Sequence, residues 1–183
     1  EVSFGTRPRK GDEELHDEAG LLFDLGETGT LRVVGRIDRI DLTPDQSHGR
    51  VIDYKTGTKT GKPKDNSLSG GLTLQLPLYL KAAEALLGAA FDVALYRYIT
   101  DRGGYGRSEF TREALDERGA DLRAVLTAIV EGIRGGCFFA GLAAGPCNQC
   151  DFYAICGAAA GTNARRKADD PAAQRYNEMR DIE

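Results

Sequence analysis

The chain has 183 residues, of which 41% are hydrophobic and 28% charged, a balance typical of one globular domain with a real core. Its net charge of −4 and pI of about 5.3 argue against a general nucleic-acid coat protein but allow a local basic surface. The longest apolar stretches are too short to span a bilayer and the first residues are not signal-like, so we expect no membrane partner. Because the chain starts without Met, we expect it to be a piece of a longer protein.

The first third of the chain predicts strands. Residues 19–26 and 30–43 have strand-like composition, and the second segment shows partial alternation of apolar and polar residues. Residues 43–49 are dense in turn formers and residues 50–57 are again strand-like, so we expect an antiparallel hairpin over 31–56. A long loop rich in Gly and Lys follows, and long loops in compact domains are often functional.

The middle of the chain predicts two helices around a buried strand. The first helix should begin near Leu72–Gln75 and end near Leu87, with Pro77 tolerated in its first turn. Residues 91–100 begin with a near-continuous apolar run, as a buried strand does. Residues 111–136 form one long amphipathic pattern that starts at a Thr N-cap and stops at two glycines. This order predicts an α/β (α+β) fold with a central mixed sheet flanked by helices.

Three charged residues stand where a buried strand would prefer Val or Ile. Asp53 and Lys55 are two residues apart and share one strand face, while Ile52 and Tyr54 should point to the other side, into the core. Asp38, on the partner strand of the hairpin, should lie across from this pair. Carboxylates suit a hard cation that polarises a phosphoryl oxygen, and a Lys can stabilise the developing charge. This layout favours metal-assisted phosphodiester hydrolysis. The alternative is that Asp53 and Lys55 form only a surface ion pair on an edge strand.

Further polar residues follow the hairpin. Gln75 and Tyr79 are four residues apart on one helix face, so the Gln can bind a phosphate or a base edge with the Tyr packed behind it. An ordinary helix cap with a core aromatic is the alternative for this pair. Lys59 and Lys62 belong to the stretch Lys55 to Lys64, which carries four Lys and no acid. We predict that they contact DNA phosphates, with a solvated loop as the alternative.

Three segments together carry a family resemblance: "GRIDRID", "VIDYKTG" and "LQLPLYL", in this order and spacing. They resemble the PD-(D/E)xK nuclease superfamily and, within it, the RecB-like branch, which includes the nuclease domains of bacterial RecB and AddB helicase–nucleases and CRISPR-associated exonucleases. The resemblance covers about residues 1–157 and implies a restriction-endonuclease-like core. It implies these roles: Asp38, Asp53 and the backbone carbonyl of Tyr54 as ligands of Mg²⁺ or Mn²⁺, Lys55 as the catalytic lysine, and Gln75 with Tyr79 as the family's Q-x-x-x-Y helix motif.

Three of the four cysteines are crowded together, Cys147, Cys150 and Cys156, with the spacing C-x2-C-x5-C. Such clustering without a secretory mark suggests metal or cluster ligation rather than disulfides. The triplet resembles the C-terminal cysteines of AddB-type and CRISPR-type relatives, and this implies a cysteine-rich staple that holds a [4Fe–4S] cluster. A fourth cysteine is needed as a rule, and we expect it upstream, outside this chain. Cys137 is the only local alternative as the fourth cluster ligand. A different alternative is that Cys137 and the triplet form a four-thiolate zinc site.

The domain prediction is a RecB-like nuclease domain over residues 1–157, expected to lack its N-terminal part, and a charged tail over 158–183 that is partly disordered or docks on a missing partner. The predicted function is a metal-dependent deoxyribonuclease, an exonuclease of a helicase–nuclease complex in double-strand-break repair and recombination. Its partners would be single-stranded DNA or duplex ends and a helicase, in the cytoplasm and associated with the nucleoid. The alternatives are an inactive DNA-guiding module of the same fold and a zinc-stapled interaction domain.

Overall fold

The computed structural model describes residues 1–6, 16–57, 64–138, 151, 153–156, 162, 166 and 169–183. Their strands are β1 Val2–Phe4, β2 His16–Asp17, β3 Leu21–Asp24, β4 Thr30–Val33, β5 Gly35–Ile37, β6 Arg39–Leu42, β7 His48–Lys55, β8 Ala90–Tyr98 and β9 Arg107–Thr111. Their α-helices are α1 Gln75–Leu87, α2 Arg112–Glu117, α3 Gly119–Arg134, α4 Tyr153–Cys156 and α5 Gln174–Arg180. Helices and a mixed sheet share one core, which confirms the predicted α/β class.

A four-stranded sheet in the order β6-β7-β8-β9 forms the centre of the fold. β7 and β8 run parallel, whereas the pairs β6–β7 and β8–β9 are antiparallel. Parallel neighbours need a crossover connection, and α1 provides it, because this helix follows β7, packs on both strands and leads into β8. The crossover therefore places the first turn of α1 beside the end of β7.

The strand predicted over residues 30–43 is three strands. β4 pairs with β3, β5 pairs with β1 in a separate three-stranded sheet, and only β6 pairs with β7. The strands are interrupted at Val34 and at a bend at Asp38, because each piece has a different partner. Gly35 makes the middle pairing possible, since a Cβ at this position would lie 2.7 Å from the ring of Phe4. Asp38 consequently lies at a bend, not within a strand of the hairpin as predicted.

The predicted orientation of β7 is wrong for Tyr54. Val51 and Asp53 lie on the face that α1 covers, so this is the core face of the sheet. Tyr54 lies on the opposite face, where the residue is 39% exposed. Ile52 is buried on that same outer face, beside Arg39 and Arg50.

The predicted ends of the helices agree with the structure, but the second predicted helix is interrupted in its middle. α1 runs over Gln75–Leu87 as predicted, with Pro77 in its first turn. The long helix predicted over 111–136 is interrupted at Arg118, which separates α2 from α3. Thr111 is the predicted N-cap, since its hydroxyl accepts a hydrogen bond from the Ala114 N–H. Among the helices that the structure describes, none has the length and apolar character needed to cross a membrane.

The described C-terminal segment, residues 169–183, contains a seven-residue helix and packs on the domain itself. α5 lies against α3, and Met179 and Ile182 pack against the hydrophobic core. The following backbone hydrogen-bonds to the segment before α1: the Gly70 N–H donates to the Ile182 carbonyl at 2.7 Å and the Leu68 N–H to the Glu183 carbonyl at 3.2 Å. That residues 158–183 are a separate tail for an external partner stays a prediction, as does the boundary of the nuclease domain at 157.

Candidate active site

Asp53 and Lys55 lie at the carboxyl end of β7, on its core face. The side chain of Asp53 is almost fully buried, with the residue 4% exposed, and that of Lys55 is about one-third exposed. The Lys55 ammonium forms an ion pair with Asp53 Oδ1. The alternation of β7 thus places the two side chains together, as the sequence predicted.

Asp38 reaches the same place from the bend between β5 and β6. Its Oδ2 accepts a hydrogen bond from the Tyr54 N–H at 2.9 Å. The last paired residues of β6 and β7 are Arg39 and Ile52, so Tyr54 lies two residues beyond the pairing. The Asp38 carboxylate therefore binds a backbone N–H that β6 no longer reaches, and this contact fixes Asp38 beside β7.

Gln75, the first residue of α1, joins the charged groups to one another. Its Oε1 accepts a hydrogen bond from the Lys55 ammonium at 2.9 Å. Its Nε2 donates to Asp53 Oδ2 at 3.1 Å and lies 2.8 Å from the Tyr79 hydroxyl, to which it also donates. The amide is thus a bridge that orients Lys55 and Asp53 relative to α1, with Tyr79 behind it as the sequence predicted.

Two tyrosines support this network, Tyr96, which is buried, and Tyr79, which is partly buried. The Tyr79 ring packs edge-on against Phe4, with ring centroids 6.2 Å apart, and burial raises the pKa of its hydroxyl. The Tyr96 ring, on β8, lies beneath the Lys55 ammonium, with Nζ 4.7 Å from the ring centroid. Sequence reasoning missed Tyr96, because the pairing of β7 with β8 brings it there and no local motif marks it.

The surroundings of the Asp53 carboxyl group shift its pKa upward. Burial raises its pKa above the usual range; the hydrogen bond and charge of Lys55 oppose the rise, and the Asp38 carboxylate adds to it. Two carboxylates are therefore close enough to repel one another. A cation between them would relieve this repulsion.

The residues present fit a divalent cation. Asp53 Oδ1 is buried and, apart from its ion pair with Lys55, receives no hydrogen bond from the described residues. Across that part of the chain, no three side chains of His, Cys, Asp or Glu come together as a metal cluster. Mg²⁺ commonly uses one or two protein carboxylates and keeps several waters, so Asp38 and Asp53 with the backbone carbonyl of Tyr54 would be enough to hold it, and this ligand set stays a prediction.

Four predicted site residues, Lys59, Lys62, Cys147 and Cys150, lie outside the described residues. Cys156, the last residue of α4, carries an exposed free thiol. The Cys137 thiol is partly buried and lies 3.7 Å from the Gly135 carbonyl, to which it donates. The DNA contacts of the two lysines, those of Gln75 and Tyr79, and the cysteine staple stay predictions.

Comparison with known proteins places these motifs in one family. The model of the PD-(D/E)XK nuclease superfamily matches residues 3–157. One subunit of the ATP-dependent helicase/deoxyribonuclease of Moorella thermoacetica is 34% identical over 147 residues, covering 73% of this chain and 12% of that protein. The proteins of the same name from Desulforudis audaxviator and Thermoanaerobacter sp. (strain X514) are 37% identical over 94 residues and 36% over 83 residues, covering 48% and 44% of this chain.

The chain spans only a small part, 7–12%, of the length of these curated relatives. No solved structure matches it. The family match nevertheless includes the residues that build the site, from Asp38, Asp53 and Lys55 to the Gln75–Tyr79 turn of α1. The chain therefore belongs to the PD-(D/E)XK nuclease superfamily.

Proposed function

We propose that this chain is a divalent-metal-dependent deoxyribonuclease domain that hydrolyses phosphodiester bonds. The observation that carries the proposal is the convergence of Asp38, Asp53 and Lys55 at the end of β7, with Gln75 bridging Lys55 and Asp53. Burial of Asp53 against an ammonium and a second carboxylate is costly without a ligand-binding role. Arrangements that oppose stability in this way are typical of active sites.

In this proposal Asp38, Asp53 and the Tyr54 carbonyl hold Mg²⁺ or Mn²⁺. When bound, the cation would polarise a phosphoryl oxygen and lower the pKa of a bound water. Lys55 has its ammonium at the same carboxylate and is partly exposed, so it can approach a phosphate oxygen and stabilise negative charge as it develops. Gln75 holds the Lys55 ammonium at the site by accepting a hydrogen bond from it.

The direct test is cleavage of labelled DNA by the purified chain in Mg²⁺, Mn²⁺, Ca²⁺ or EDTA. We expect cleavage with Mg²⁺ or Mn²⁺ and none with EDTA, since carboxylates alone cannot supply a Lewis acid. Comparing end-labelled linear strands with closed circular single strands separates an exonuclease from an endonuclease, and we expect only linear DNA to be degraded. Metal-independent cleavage would contradict the proposal, and metal-dependent binding without cleavage would favour the inactive DNA-guiding module.

We further propose that the domain works within a helicase–nuclease complex in double-strand-break repair and recombination, on single strands or duplex ends near the nucleoid. Support comes from the name shared by the relatives, each of which is one subunit of an ATP-dependent helicase/deoxyribonuclease. A nuclease acting with a helicase receives single strands as the duplex opens, which agrees with the exonuclease proposal. Lys59 and Lys62 are proposed phosphate contacts, because their loop directly follows Lys55 in the chain.

An iron–sulfur staple is proposed for Cys147, Cys150 and Cys156, with a fourth ligand upstream of this chain. Their spacing supports it, and Cys156 has an accessible thiol. Anaerobic reconstitution with iron and sulfide is expected to give a stable four-iron cluster only in a protein extended toward its N-terminus. Cys137→Ser should leave that cluster intact. A full cluster in the present chain that is lost with Cys137→Ser would contradict the upstream ligand, and bound zinc in place of iron would favour the zinc-stapled domain.

A further inference from the structure

The Lys55 ammonium rests on the face of an aromatic ring. Tyr96 is paired in register with Asp53 on the neighbouring parallel strand, so both side chains project from the core face of the sheet. The Lys55 Nζ lies 4.7 Å from the centre of the Tyr96 ring. This distance is within the range of a cation–π interaction, in which the negative face of the ring attracts the cation.

We propose that Tyr96 is a positioning residue of the active site, whose ring holds the Lys55 ammonium in the place from which it acts on the phosphate. The inference rests on the proposed function, in which Lys55 stabilises charge on the DNA. Tyr96 itself is buried, 7% exposed, beneath the lysine. It cannot replace the lysine at the phosphate, so its effect passes through Lys55.

The Tyr96 ring can position the Lys55 ammonium without neutralising its charge, which the other neighbours of Lys55 do not achieve together. Lys has a flexible four-carbon stem and three donors, and fixing it requires several contacts. Asp53 attracts the ammonium but also neutralises it, and Gln75 contributes one hydrogen bond. The ring face adds attraction without adding a negative charge, so the ammonium keeps its positive field for the substrate.

The chemistry of the phenol agrees with a role for the ring, not for the hydroxyl. Burial, followed by the charge of Asp53, raises the pKa of the Tyr96 hydroxyl well above its usual range. The side chain is therefore a neutral phenol at any pH at which a nuclease works. It cannot serve as a counter-ion of Lys55 or as a general base.

The test measures kcat and KM for DNA cleavage by the full chain carrying Tyr96→Phe, Tyr96→Leu or Tyr96→Met. Phe keeps the ring and should keep the wild-type kcat. Leu and Met remove it and should lower kcat about 2- to 30-fold, which corresponds to the usual strength of a cation–π contact. KM should stay unchanged in all three, because the buried ring does not reach DNA. Circular dichroism and thermal melting identify the variants that fold, and the flexible Met side chain provides a second ring-free variant if the Leu variant does not fold.

A second readout does not need turnover. Amine acylation of the folded protein, followed by peptide mass spectrometry, should modify Lys55 faster in the Leu and Met variants than in wild type. Lys81, on α1, is the internal control and should react at one rate in every variant. Folded Leu or Met variants with wild-type kcat and unchanged Lys55 labelling would overturn the inference, as would a Phe variant that loses as much kcat as Leu.

Failure of this inference can be told from failure of the proposed function by Lys55→Ala. If Lys55→Ala is inactive while the Leu and Met variants of Tyr96 are fully active, only the role of the ring is wrong. If Lys55→Ala cleaves DNA at the wild-type rate, the catalytic role of Lys55 is wrong and the inference falls with it.

Discussion

Replacing Asp53 by Asn is expected to lower DNA cleavage about 100- to 1000-fold, because it weakens the site of a cation whose charge stabilises the transition state, and losing one such electrostatic contribution costs about that much. The same variant should melt at a higher temperature than wild type at neutral pH, measured in EDTA so that no metal contributes. Loss of activity together with a gain of stability is the signature of a residue kept for function. Replacing a residue kept for structure would lower both the activity and the melting temperature.

The sign of the stability change follows from the direction of the pKa shift. The pKa of Asp53 is raised in the folded protein, mainly by burial. A raised pKa means that folding favours the protonated carboxyl group. Its contribution to the free energy of unfolding is therefore fully present below the unfolded pKa and is lost as the pH rises through the folded pKa. Asn does not titrate, so the variant avoids this loss. Its advantage in melting temperature should be absent at pH 3 and present at pH 7.

Asp41→Asn is the matched control. It makes the same chemical change in the same sheet, but at a carboxyl group whose pKa is shifted in the opposite direction. Asp41 lies on the outer face and binds Arg39 and Arg50, and the hydrogen bond from Arg39 in particular lowers its pKa. Its stabilising effect exists above the unfolded pKa and is lost as the pH falls through the folded pKa. Asp41→Asn should therefore melt slightly lower than wild type at pH 7, since exposed pairs are screened, and should cleave DNA normally.

Either of two results would contradict this pair of expectations. If Asp53→Asn melts lower than wild type at pH 7, its ion pair with Lys55 outweighs the burial of the carboxylate. If Asp53→Asn keeps wild-type cleavage, Asp53 is not a metal ligand. Asp41→Asn must cleave normally for the comparison to hold.

Gly70→Ala is expected to destabilise the fold considerably more than Gly88→Ala. Both glycines have left-handed backbone, with φ of +60° and +64°. A Cβ at Gly88 would meet nothing within 4 Å, so this variant should lose only the conformational term of about 1 to 2 kcal/mol. A Cβ at Gly70 would lie 2.8 Å from the Arg180 carbonyl oxygen, and overpacking of this kind costs about 1 to 3 kcal/mol more.

The difference in free energy of unfolding between the two variants measures how closely the C-terminal segment packs on the backbone at Gly70. The Gly70 N–H donates to the Ile182 carbonyl, so a side chain at position 70 would push apart two bonded segments. Denaturant unfolding gives the two free energies, and hydrogen exchange should show lost protection at the Gly70 amide. Equal free-energy losses in both variants would mean that residues 180–183 do not pack on this segment.

Part of the site follows from local periodicity and could be predicted from the sequence. The two-residue repeat of a strand places Asp53 and Lys55 on one face, and the four-residue spacing of a helix places Gln75 and Tyr79 on another. These relations depend only on backbone geometry, which every strand and helix shares. The bounds of α1 were predictable for the same reason, because Pro77 and the glycine after Leu87 act locally.

Other features depended on which segments meet, and only the tertiary structure decided them. Alternation shows that Asp53 and Tyr54 face opposite ways, but α1 determines that the Asp53 side is buried and the Tyr54 side exposed. The pairing of β7 with β8, distant in sequence, brings Tyr96 beneath Lys55. The break at Asp38 likewise depends on the partner of β5. The sequence by itself determined the chemical groups and their local spacing, whereas burial and long-range pairing, which depend on the whole chain, determined the surroundings in which those groups act.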